Sequence, residues 1–88
     1  MELHGTLAKG RMAYHKAMVS DVLGDIGRLT GFQAVAFPEI AGLRFTGELP
    51  TDKGGEQAVR VLAARLGLSL RHAGPHWVLV AAQEPAGP

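Results

Sequence analysis

Val22-Leu23-Gly24-Asp25-Ile26-Gly27-Arg28-Leu29-Thr30-Gly31-Phe32-Gln33-Ala34 (22–34) and Ala58-Val59-Arg60-Val61-Leu62-Ala63-Ala64-Arg65-Leu66-Gly67-Leu68-Ser69-Leu70 (58–70) follow one pattern. Sliding the chain by 36 residues sets Val22 on Ala58, Leu23 on Val59, Ile26 on Leu62, Gly31 on Gly67, Phe32 on Leu68 and Ala34 on Leu70. In each copy apolar residues recur at helical spacing and a glycine follows in the place of a left-handed C-terminal residue. A strand comes next. The recurrence predicts an α+β fold of two β-α-β units, each too small to bury its own apolar face and therefore packed on the other.

Working outward, Arg11 to Ala17 alternates as a strand, with Met12 and Tyr14 on one face and Arg11, Ala13 and His15 on the other. Ser20-Asp21 offers an N-cap and a first-turn acid for a helix over Ser20–Leu29. Gly24 and Gly27 inside that helix each cost about 1 kcal/mol relative to alanine, which close backbone packing would offset. Phe32 to Phe37 reads as a strand stopped by Pro38, and Leu43 to Leu49 as one with Leu43, Phe45 and Leu49 inward and Arg44, Thr46 and Glu48 outward.

A second helix spans about Glu56 to Leu66, and Leu68–Ala73 with His76–Ala82 form a hairpin around Gly74-Pro75. The second helix is apolar around most of its circumference, so it is buried on more than one side. Both helices are expected between two small sheets, with Leu23, Ile26, Phe45, Leu62 and Leu79 in the core. Residues 1–10 carry no periodicity and read as a lead-in segment, 11–82 as the domain, and 83–88, with its prolines, as a tail.

Composition bounds the rest. With 88 residues, 47% hydrophobic and 19% charged, the chain has the balance of one globular domain. It contains no cysteine, which excludes disulfides, thiolate metal sites and cysteine nucleophiles. The net charge of +1 comes from basic residues scattered among acids, the wrong pattern for nucleic-acid binding. No apolar run approaches the roughly 20 residues of a membrane span, and the start lacks the basic and apolar regions of a signal peptide. A parent protein that is exported or anchored would make this chain an excised piece.

The order of elements, with these residues, resembles the short domain named for secretin and TonB-receptor N-termini, the STN domain, closest to its version at the C-terminus of FecR-type anti-sigma regulators. Leu7-Ala8-Lys9-Gly10-Arg11-Met12 fits the family's opening motif, and Met18-Val19-Ser20-Asp21-Val22-Leu23 fits the start of its first helix. Arg28 stands at the helix arginine, Leu43-Arg44-Phe45-Thr46-Gly47-Glu48 fits the glycine-bearing strand, and Val61-Leu62 lies in the second helix. Leu7 replaces the family's tryptophan, and Leu29 stands where tyrosine is common. The resemblance covers about Leu7 to Ala82.

It implies no catalysis and no cofactor. It implies a periplasmic domain, monomeric alone, that meets the signalling domain of a TonB-dependent outer-membrane receptor and relays iron-source occupancy to a sigma factor. Its parent would be anchored in the inner membrane, with no membrane contact by this fragment. The signalling domain of the transducer itself, or the first domain of a secretin ring, would share the pattern.

Chemistry-bearing constellations are few. His72 and His76 flank the Gly74-Pro75 turn, but no cysteine or nearby carboxylate completes a zinc site. Ser20 beside Asp21 is a helix cap more simply than a nucleophile. Gly54-Gly55 lacks the rest of a phosphate-loop motif. Trp77 alternates with Leu79 and belongs to the core or its margin. For partner binding, the outward residues Arg44, Thr46 and Glu48, the bare Gly47 beside them, and Arg11 in the opening segment form the candidate site, since a strand with an open edge can accept another backbone.

Overall fold

The computed structural model describes residues 3–81. In chain order the elements are β1 (Thr6–Ala8), β2 (Arg11–Met18), α1 (Val19–Thr30), β3 (Ala34–Ala36), α2 (Pro38–Ala41), β4 (Arg44–Pro50), α3 (Gly55–Leu66), β5 (Leu68–Ala73) and β6 (His76–Ala81). They make two three-stranded sheets, sheet A in the order β1-β2-β4 and sheet B in the order β3-β6-β5. Each β-α-β unit gives its first strand to sheet A and its second to sheet B. In consequence α1 packs between β2 and β3, and α3 between β4 and β5, while the two helices touch each other.

The core lies in that middle layer. Val22, Leu23 and Ile26 of α1 and Ala58, Val59 and Leu62 of α3 are buried, so the residues that the 36-residue repeat superposes meet at one interface. Met12, Phe45 and Leu49 cover them from sheet A, and Leu79 from sheet B. Gly31 and Gly67 close the two helices at φ 81° and 68°, each donating its N–H to the carbonyl four residues back. The hairpin turns through Gly74 at φ 60°, the positive value that the first central position of a two-residue turn requires when proline follows.

Several expectations are corrected. The lead-in holds a strand: β1 pairs antiparallel with β2 through Thr6↔Ala13, Leu7↔Met12 and Ala8↔Arg11. Three residues are too few to show alternation, and pairing supplies the order that local pattern does not. Ser20 does not cap α1, whose N-cap is Met18; the Val19 N–H goes instead to the Leu43 carbonyl at 2.9 Å, a tertiary bond replacing a side-chain cap.

Leu43 precedes β4 and is exposed, because residues 38–41 form a one-turn helix with Pro38 at its N-terminus. Gly24 has open space where a side chain would point, so no close packing accounts for it. The close approach is at Gly55, where a Cβ would collide with Thr30 and Phe32 at the junction of the two units. Residue 82 and the 83–88 tail lie outside the described residues.

Candidate interaction surfaces

With both helices between the sheets, each sheet has an inner face on the core and an outer face toward solvent. The two outer faces differ in chemistry.

The outer face of sheet A carries most of the residues singled out for binding. Arg11 and Glu48 lie on adjacent strands and pair at 3.7 Å. Beside them β2 bulges: the register with β4 shifts between Tyr14 and Ala17, so His15 and Lys16 together oppose Thr46. Lys16 sits at φ 53°, a left-handed conformation unusual for a side chain with a Cβ. Two bonds from β4 hold it there. The Thr46 hydroxyl accepts the Lys16 N–H at 2.9 Å, and an Arg44 Nη1–H donates to the Lys16 carbonyl at 3.0 Å.

Arg11, Arg44, Thr46 and Glu48 are therefore brought together on one face. Gly47 is not among them. It alternates inward with Phe45 and Leu49, and at φ 147° a side chain there would press on the Phe45 ring and approach the Arg65 guanidinium. Gly47 is bare to admit Phe45 and Arg65.

Sheet B offers the opposite surface, one that the pattern reading missed. Leu79 points into the core, so its neighbours Val78 and Val80 on β6 point outward. Val35 of β3 lies beside Val78 in parallel register and is 59% exposed. Phe37, two residues on, is 48% exposed and forms a shallow cleft with Val80, Arg71 and Glu39. The signal was legible. Trp77-Val78-Leu79-Val80-Ala81 is apolar without interruption, and such strands are covered on both faces. Here the described residues cover only one.

Two polar clusters complete the inventory. The Asp25 carboxylate is buried, and it accepts the His4 N–H at 2.9 and 3.1 Å, the Gly5 N–H at 3.0 Å and the Tyr14 hydroxyl at 2.9 Å. Arg28 stands 3.8 Å away. This network ties the segment before β1 to α1 and β2. Burial first, then the hydrogen bond to Asp25 and last its charge push the Tyr14 phenol well above its ordinary value.

At the other end Trp77 is half-buried, with His72 stacked on its ring at 4.4 Å, Phe32 tilted at 5.5 Å and Arg60 over it at 5.8 Å. His72 is thus turned onto Trp77, while His76 is paired with Ala73 across the turn. Among the described residues no three or more His, Cys, Asp or Glu side chains gather as a metal site, and no helix is long and apolar enough to cross a membrane. No protein-family profile and no curated protein matches the chain.

Proposed function

We propose that this chain is a non-enzymatic protein–protein interaction domain, the periplasmic part of a FecR-type anti-sigma regulator that docks onto the signalling domain of a TonB-dependent outer-membrane receptor. The observation that carries the docking reading is the open apolar face of sheet B. Val35, Phe37, Val78 and Val80 form a contiguous patch on a strand array whose inner face is already filled. Apolar patches with a polar rim, here Arg71 and Glu39, mark protein contact surfaces. The STN resemblance supplies the identity of the partner, and two β-α-β units with a helical layer between small sheets support it.

The test is a calorimetric titration against the cognate receptor's signalling domain. Val35→Thr and Phe37→Ser, both at exposed positions and first checked for unchanged thermal unfolding, are expected to weaken binding about tenfold or more, ~1.4 kcal/mol. Wild-type affinity in both variants would remove sheet B from the interface. Failure of the wild-type domain to bind the receptor domain would remove the regulator assignment.

A further inference from the structure

β4 is an edge strand. Its seven residues pair with β2 on one side only, and among the described residues no backbone hydrogen bond joins Arg44–Pro50 to any segment other than β2. The edge strands β1 and β3 have three residues each and β5 has six, so β4 is the longest open edge among the described residues. In an antiparallel ladder alternate main-chain N–H and C=O groups of an edge strand point away from its neighbour, a template for one more strand.

Apart from the Arg11–Glu48 pair, the charges around this edge are of one sign. Arg44 and Lys16 stand exposed on the outer face, and Arg65, from the last turn of α3, reaches over Gly47 on the inner side. Among the described residues none of the three has a carboxylate within ion-pair distance. Glu48 is the strand's only acid, and Arg11 engages it. A strand added here would send alternate side chains toward Arg44 and Lys16 on one face and toward Arg65 on the other.

We infer that the free edge of β4 accepts an extended, acidic segment of another protein by strand addition. Main-chain bonds to the edge supply the pairing, and Lys16, Arg44 and Arg65 select acidic side chains on it. This inference stands apart from the apolar face of sheet B, so either can fail while the other holds.

The probe is a synthetic Val-Glu peptide of about ten residues in a Val-Val-Glu-Glu repeat, which sets glutamates on both faces of a strand and is long enough to span β4, compared with its Val-Lys counterpart. Titrated into the isotope-labelled domain, the Val-Glu peptide is expected to shift the amide resonances of Arg44–Pro50 and to bind at least about tenfold tighter than the Val-Lys peptide. Methylating alternate backbone nitrogens of the Val-Glu peptide leaves its charge intact and should abolish binding. The double variant Arg44→Glu, Arg65→Glu should reverse the preference, a gain that a misfolded protein cannot produce. Equal binding of the two peptides, retained binding after methylation, shifts confined to β3 or β5, or no shift at millimolar peptide would each overturn the inference.

Discussion

The Tyr14 hydroxyl donates a 2.9 Å hydrogen bond to the Asp25 carboxylate, joining the inner face of β2 to the buried side of α1. The same carboxylate accepts the backbone N–H groups of His4 and Gly5, so one side chain organises three segments. Removing it leaves a phenol and two amides without their acceptor, whereas removing the phenolic oxygen takes away one donor among several. Asp25→Ala is therefore expected to cost about 3–5 kcal/mol, the range for breaking a buried charged network. Tyr14→Phe should cost about 1.5–3 kcal/mol, as for one hydrogen bond to a charged group. Urea titration of both variants checks the order. A cost for Tyr14→Phe equal to or above that of Asp25→Ala would show that the backbone amides are not the main dependants.

The same pair sets a limit at high pH. Burial and the neighbouring carboxylate raise the Tyr14 pKa above its ordinary value of 10.0. A group whose folded pKa is raised contributes stability that is complete below the unfolded pKa and is lost as pH rises beyond it. Stability of the wild type should therefore decline above pH 10, where the unfolded chain releases the Tyr14 proton and the folded chain retains it. The Tyr14→Phe protein lacks this component. Denaturation midpoints at two alkaline pH values, compared between the proteins, give the result. Parallel slopes would mean that the phenol is not held protonated by the fold.

Much of the architecture was legible in the residues, because the helices and their glycine ends obey local rules. Leu23, Ile26, Phe45, Leu62 and Leu79 are all buried, as spacing predicts. What escaped the pattern depends on partners distant in sequence. β1 exists through pairing with β2, and the start of α1 is satisfied by Leu43, more than twenty residues on. Asp25 reads as one more polar residue on a helix until His4, Gly5 and Tyr14 surround it. At the surface, alternation located the outer side of β4 correctly, but Gly47, added to the candidate site for its bareness, is in phase with Phe45 and Leu49 and faces inward. The inward size of Phe45 and the reach of Arg65, not exposure, explain that glycine.

Gly55 and Leu62 test the packing of the two units from opposite directions. Leu62 is wholly buried, and Leu62→Ala should cost ~2–5 kcal/mol by the loss of contacts and the cavity left behind. Gly55→Ala adds one methyl where Thr30 and Phe32 already stand. In an unobstructed helix that change gains about 1 kcal/mol. Here overpacking, typically about 1–3 kcal/mol, should reverse the sign. A stabilised Gly55→Ala protein in a denaturant titration would mean that the junction between Thr30, Phe32 and α3 yields readily.

Within the strands of sheet A, Lys16 is the residue other than glycine held at a positive φ. At φ 53° its Cβ crowds the carbonyl that follows, a cost of about 1–2 kcal/mol for a residue other than glycine. The conformation persists because β4 fixes it from two sides, the Thr46 hydroxyl accepting its N–H and Arg44 donating to its carbonyl. Lys16→Gly keeps both bonds, which use the backbone of residue 16, and removes the Cβ. It should stabilise the protein by up to about 1 kcal/mol after the greater chain entropy of glycine is counted. Lys16→Val forces a branched side chain into the same conformation and should destabilise by more than about 1 kcal/mol. Thr46→Ala removes the hydroxyl acceptor and should lower stability by about 1 kcal/mol in the wild type. The expected ranking is Gly above Lys above Val at position 16, read from thermal unfolding of the three proteins. A Val variant as stable as wild type would show that the bulge relaxes to an ordinary extended strand, and the geometry that sets Arg44 beside Lys16 would then not be a fixed property of the fold.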